Sequence, residues 1–284
     1  MWTTTKIPCH ENKYNYDGKH GRRILFQTWK NNDIPEHWKP SVESVMSHML
    51  GWEYRLFTDD DNEKFIDQYF PDFLPIYKKL PHNIQRADAI RYCVMAKASE
   101  AFGDDIELIV YMDLDFTILK PLDELFNNDK ADAYFVASGN IGSTLTNSFM
   151  AGKPGAKVFY ECVEDMMIRG LRPPNWAYGK HLIVMTTTGP IMIDRIAKSG
   201  KNSYINLPGK LFMPCSSCNI NCEVDDHAYL KPLKGGSWNG LDSKIYNACM
   251  CNWKPISTVL LIIIILIILL VIWYCIKYKY WYRK

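Results

Sequence analysis

One stretch limits the architecture more than any other. Ile256–Ile276 runs 21 residues without a charge, and sixteen of them are Ile, Leu or Val. As an α-helix this run would be about 31 Å long, close to the roughly 30 Å of a bilayer's hydrocarbon core. No neighbour of ordinary composition covers so uniform a cylinder, so a transmembrane helix is expected. The residues that follow, Lys277 to Lys284, mix Tyr and Trp with Lys and Arg, the composition of an interfacial belt. The chain then divides into an N-terminal segment (1–22), a folded domain (23–250), the span (256–276) and a basic, aromatic tail (277–284). Met1–Arg23 has no apolar run of seven residues, so no signal peptide is expected.

Outside the span the chain has ordinary globular composition. Its 33 Lys+Arg against 31 Asp+Glu leave a formal charge of +2, which argues against a nucleic-acid binder. Arg23–Thr28 reads as a buried strand, followed by a loop over Trp29–Pro40. Glu53–Thr58 is a second strand leading into an acidic helix start at Asp59–Asp61. Ile84–Ala98 has the apolar spacing of a helix. Ile106–Met112 (IELIVYM) is a continuous apolar run of the kind buried in a parallel sheet, and Ala133–Ser138 reads as another strand. Strands alternating with helices predict an α/β fold with helices on both faces of a mainly parallel sheet.

The strongest strand ends in Asp113-Leu114-Asp115. In such sheets ligands bind beyond the carboxyl ends of the strands. Residues i and i+2 of extended chain point the same way, so both carboxylates can face one cleft. Two hard oxygen ligands with positions left for phosphates suit Mn²⁺ or Mg²⁺. Asp88 and Arg91, three apart on the predicted helix, share a face. Trp29, just beyond a strand end, is placed to stack on a nucleotide base.

Four motifs occur in one order: ILFQTWK (24–30), LFTDDD (56–61), RADAIRY (86–92) and YMDLDFTILKPLDEL (111–125). In this the chain resembles the DXD-containing glycosyltransferases. More narrowly it resembles family 32, which holds fungal mannosyltransferases, including those acting on inositol phosphoceramide, and relatives in large DNA viruses. Asn147-Ser148-Phe149-Met150, Thr188-Gly189-Pro190 and Gly236-Ser237-Trp238 extend the likeness over about residues 23–240. The resemblance implies a GT-A-like nucleotide-sugar-binding fold and transfer of a hexose, with retention, from a GDP- or UDP-sugar to a glycan or glycolipid at the lipid bilayer. It implies Asp113 and Asp115 as catalytic metal ligands, with His227 completing the shell. Gln27, Trp29, Asp88, Arg91 and Tyr111 would then bind the donor, with Asp88 accepting from sugar hydroxyls and Arg91 clamping sugar or phosphate. The chain departs from the family in the longer interval Cys93–Tyr111 and in the distance from His227 to Gly-Ser-Trp.

Two other readings compete. LIVYMDLDFT also fits the Asp-x-Asp-x-Thr of haloacid-dehalogenase-type phosphatases, with Asp113 as nucleophile, Asp115 as acid/base and Asp225-Asp226 as the late acidic pair. That motif normally opens its domain, whereas here 112 residues precede it. An inactive membrane-anchored scaffold or binding module of the same fold is the other. Cys215, Cys218, Cys222, Cys249 and Cys251 crowd the approach to the span and are open to disulfides, a zinc site or acylation. Cations after the span would place the tail in the cytosol and the domain in a lumen. The lack of a signal peptide and of any Asn-x-Ser/Thr sequon tips the expectation toward a cytosolic domain.

Overall fold

The computed structural model describes residues 21–126, 131–137, 144–216, 218–219 and 222–281. Residues 1–20 of the N-terminal segment, Ser138 of the expected fourth strand and the last three tail residues lie outside them. The chain divides into one unit ending at Trp238 and a second from Asn239 to Lys284.

In the first unit, strand β1 (Arg22–Thr28) is buried through its centre. The expected loop after it is only partly a loop: a short 3-10 turn at Glu36–Trp38 leads into helix α1 (Lys39–His48), with Pro40 in its first turn. There a proline's missing N–H leaves no bond unmade. β2 (Glu53–Phe57) feeds α2 (Asp59–Tyr69), whose acidic start is confirmed. Thr58 caps it reciprocally with Asp61, and Asp59–Asp61 complement the helix dipole. After α3 (Leu74–Lys79) comes the long α4 (Asn83–Phe102), capped at its start by His82 and Gln85.

The long interval after Cys93 is absorbed where α4 ends. The helix kinks at Lys97 and runs on to Phe102. Gly103 then turns the chain with φ +119°, and a Cβ there would lie 2.8 Å from Asp105 Oδ1. Arg22 ties the turn to the sheet through Asp105 at 2.9 and 3.0 Å. The extra length therefore stays at the far end of α4, and after a register shift at Arg22/Arg23 β3 (Ile106–Met112) pairs regularly with β1 from Arg23 and Leu108 onward.

The remaining elements are β4 (Phe116–Ile118), β5 (Ala133–Ala137), β6 (Leu145–Gly152), α5 (Lys157–Arg169), α6 (Gly179–Thr187), α7 (Pro190–Ala197), β7 (Tyr204–Leu207), α8 (Gly209–Phe212) and β8 (Leu230–Pro232). The six-stranded sheet has the order β2-β1-β3-β6-β5-β7. β6 alone runs against the other five, so the sheet is mainly parallel, as expected. β4 and β8 form a separate antiparallel ribbon.

Period-two alternation divides the core. Ile24, Phe26, Ile109, Tyr111 and Phe135 face α2, α4, α5 and α7, whereas Leu25, Leu108, Val110, Met112 and Val136 face Val45 of α1, the ribbon and Phe212. Each face buries apolar surface at roughly 25 cal/mol per Å². This fixes the strand register, because a one-residue slip would exchange the two sets.

The second unit holds α9 (Leu241–Cys251) and α10 (Trp253–Trp281). Within α10, Trp253–Tyr278 forms 26 residues whose most apolar 18-residue stretch has a mean hydropathy of 3.5, long and apolar enough to cross a membrane. Leu266 is 58% and Leu270 67% exposed, so no protein surface covers the stripe. The helix starts ahead of the expected Ile256 because Pro255 falls in its first turn, where proline is tolerated. In the first unit, Cys215 and Cys222 form a disulfide. A zinc site built on those two thiolates is therefore ruled out in this state.

Candidate active site

The fold brings three stretches to the carboxyl end of the sheet. β3 delivers Asp113 and, just beyond, Asp115. α4 crosses behind them with Asp88 and Arg91 on one face. β6 supplies Asn147 and Ser148, whose main chain pins the others: Asp113 N donates to Ser148 O at 2.8 Å and Arg91 Nη1 to Asn147 O at 2.7 Å. A cavity of about 120 Å³ opens there. Trp29, Trp38 and Trp238 form its aromatic walls, and Arg91, Tyr111, Asp113 and Asp115 its polar floor.

Arg91 is the hub of that floor. Its Nη2 lies 2.9 Å from Asp88 Oδ1 and 3.3 Å from Asp113 Oδ1, and its guanidinium sits 4.4 Å over the Tyr111 ring. The Tyr111 hydroxyl donates to Asp113 Oδ1. Tyr111 thus holds the aspartate directly. Gln27 is fully buried: its amide donates to Ser41 Oγ at 2.9 Å and the Asp113 carbonyl at 3.4 Å, while Tyr54 donates to its Oε1. It braces the strand end from behind and does not line the cavity.

Asp88 is 4% exposed and points inward. Besides Arg91, its Oδ1 accepts from Asn147 Nδ2 at 3.1 Å, and its Oδ2 accepts from Thr188 Oγ1 at 3.0 Å. A carboxylate so enclosed fixes Arg91. Burial pushes its pKa up to about 6 against the pull of Arg91. Removing one partner of a buried pair leaves the other charge uncompensated. Asp88→Ala is therefore expected to cost about 3–5 kcal/mol in chemical denaturation; a loss under ~1 kcal/mol would show the pair to be dispensable.

The two DXD carboxylates resist ionising together. Burial, then the adjacent Asp113 charge, pushes Asp115 up to about 7, and burial also raises Asp113. Oδ1 of Asp115 is buried with no hydrogen-bond partner. Gly235 closes over the same carboxylate: a Cβ there would fall 1.9 Å from Asp115 Oδ2. With Asp88, the site sets three carboxylates against one guanidinium, so ionising all of them would leave two uncompensated negative charges. A divalent cation satisfies both the orphaned oxygen and this imbalance, so the residues fit the metal the sequence implied. His227 is not among them. It lines a different cavity, of about 650 Å³, with Lys120, Lys210, Glu223, Asp225 and Tyr229. Among the described residues no group of three His, Cys, Asp or Glu gathers around one point. Asp225 goes with His227, which removes the late acidic pair that the phosphatase reading needed.

Sequence reasoning missed Trp38 and Gly235. Trp38 stands edge-on to Trp29 at 4.7 Å, and its indole N–H donates to the Lys234 carbonyl at 3.0 Å. Its signal was hidden in what read as a loop. The adjacent Gly235-Gly236 pair carried a signal, since glycines mark close backbone approach.

A profile of the glycosyltransferase sugar-binding region containing the DXD motif matches residues 35–99. Inositol phosphoceramide mannosyltransferase 3 of Schizosaccharomyces pombe is 27% identical over 243 residues, covering 81% of this chain and 59% of its own. The chain is similar in sequence to DXD-containing glycosyltransferases. A mannosyl phosphorylinositol ceramide synthase of Saccharomyces cerevisiae is 27% identical over 224 residues, covering 78% of this chain and 54% of its own. The chain spans 54% to 64% of the length of the curated relatives it matches. Among solved structures, a glycosyltransferase involved in glycosylation of the major capsid of PBCV-1 is 14% identical, with a TM-score of 0.47 over 76% of this chain and 94% of that one. The galactosyltransferase LgtC with donor and acceptor sugar analogues is 14% identical, with a TM-score of 0.39 over 67% and 74%. Likeness at this level concerns the fold alone.

Proposed function

We propose that the chain is a membrane-anchored, metal-dependent glycosyltransferase that moves a hexose from a nucleotide sugar to a glycan or glycolipid, with retention at the anomeric carbon. The observation that carries this is the unpartnered, buried Oδ1 of Asp115 beside Asp113, on the floor of an aromatic-walled cavity at the sheet's carboxyl end. A Mn²⁺ or Mg²⁺ ion held by Asp113 and Asp115 would neutralise charge building on a departing nucleoside diphosphate. Arg91, fixed by Asp88, holds Asp113 in place and adds a positive charge directed at the same region. Trp29, Trp38 and Trp238 offer flat apolar faces of the kind on which a base or sugar ring stacks. The names of the curated relatives make mannose the first donor sugar to try and an inositol-containing sphingolipid the first acceptor.

Membrane attachment rests on α10. The Cys215–Cys222 disulfide supports an oxidising compartment for the first unit, which agrees with the cations that follow the span and runs against the cytosolic expectation. Full-length protein given GDP- and UDP-hexoses in turn is expected to hydrolyse or transfer one of them with Mn²⁺, and EDTA should abolish this. Equal turnover in EDTA would reject metal dependence, and turnover of a phosphomonoester instead would favour the phosphatase reading.

A further inference from the structure

Between the end of α5 and the start of α6 the chain reads MIRGLRPPNWAYGK (167–180), with three cations and no acid. Its apolar side chains are turned outward: Ile168 is 67%, Trp176 58% and Tyr178 81% exposed, and Met167 and Leu171 are exposed as well. The backbone around them is closed by its own turns, Arg172 N to Arg169 O at 2.9 Å and Ala177 N to Pro174 O at 2.8 Å. The outward display therefore belongs to a formed loop. Arg172 is exposed, and its side chain has no partner among the described residues.

A water-facing loop gains nothing from showing Ile, Leu, Trp and Tyr together. Trp and Tyr with Arg and Lys is the combination that settles at the level of lipid headgroups, with rings among the acyl boundary and cations against phosphates. The loop also touches the cavity wall. Lys180 Nζ donates to the Trp238 carbonyl at 2.7 Å, and the His181 ring stacks on Trp238 at 5.4 Å. Trp238 in turn lines the cavity.

We infer that residues 167–180 form a docking surface for an anionic lipid bilayer, which brings membrane-held acceptors to the Trp238 side of the cavity. This rests on the reading of α10 as a membrane anchor, since only an anchored chain keeps the first unit near lipid. The occupant is lipid because the loop supplies exposed aromatic and aliphatic side chains beside Arg172, a cation unpaired among the described residues, whereas Arg169 pairs with Asp165 at 3.5 Å and Lys180 is held by the Trp238 carbonyl at 2.7 Å.

The test uses the full chain reconstituted in vesicles of brominated phosphatidylcholine, with or without phosphatidylserine. Quenching of tryptophan emission is compared among the unmodified chain, Trp176→Phe and Trp273→Phe. Trp273 reports on the anchor and Trp176 on the loop. Each substitution is expected to remove a quenched component. The Trp176 component should grow with phosphatidylserine and fall at least about twofold with Arg172→Glu, since a cation near such a surface contributes about 1 kcal/mol. If Trp273 is quenched and Trp176 is not, the docking surface is rejected and the anchor stands. If neither is quenched, both fall. Burial of Trp176 in a complex with another protein, with no quenching by lipid, also overturns the proposal.

Discussion

Asp113→Asn and Asp115→Asn are each expected to lower turnover of the sugar nucleotide at least ~100-fold, the scale of removing a principal electrostatic stabiliser. The two changes act by different routes. Asp113 is already held by Arg91 at 3.3 Å and by the Tyr111 hydroxyl, so its amide loses charge and a fixed acceptor. Asp115 has one buried oxygen without a partner, so its amide loses the group that most requires a cation. Neither change should unfold the protein. Asp115→Asn in particular removes a negative charge from a crowded acidic site and should leave the midpoint of thermal unfolding unchanged or raise it. Isothermal titration with Mn²⁺, measured beside turnover, separates loss of metal from loss of chemistry. Both variants binding Mn²⁺ like the parent and turning over normally would remove the metal from the mechanism.

The sequence was legible where one physical signal acted alone. IELIVYM could hardly be anything but a buried strand, and the acidic start of α2 followed from capping chemistry. The uncharged run after Pro255 had no alternative to a long helix. Legibility failed where tertiary partners decide. Trp29–Pro40 reads as loop and its first part is one; from Glu36 it coils into a 3-10 turn and the start of α1, a helix of weak apolar face that forms because Val45 is buried in one core with Leu25 and Val110. β6 carries Asn147 and Ser148, polar residues that blur its alternation; their main-chain carbonyls hold Arg91 and Asp113, and the Asn147 amide holds Asp88. Asp88 was placed on the correct helix face, but its burial and its bracing of Arg91 were not legible. His227 was drawn toward the aspartates by motif order alone. The β4–β8 ribbon separates their ends: Leu233 N bonds the Asp115 carbonyl, while Leu119 N bonds the Tyr229 carbonyl.

Gly235→Ala is expected to have an effect comparable to losing an aspartate, although it removes no functional group. The added methyl would sit 1.9 Å from Asp115 Oδ2, 2.8 Å from Cγ and 3.0 Å from Cβ. Swinging the carboxylate tip cannot relieve all three, because Cβ is fixed to the chain. That chain is in turn held by the Leu233 N–H donating to the Asp115 carbonyl at 2.7 Å. Either Asp115 rotates away from Asp113 or the Gly235 strand lifts off the cavity floor. Overpacking of this kind costs typically about 1–3 kcal/mol, small enough for the fold to survive. A displacement near 1 Å at a positioned ligand can by itself cost ~100-fold in rate. The variant should therefore fold, retain its disulfide, bind Mn²⁺ at least ~10-fold more weakly and lose most of its turnover. Metal affinity and turnover within about twofold of the parent would show that Asp115 does not need the place the glycine leaves for it.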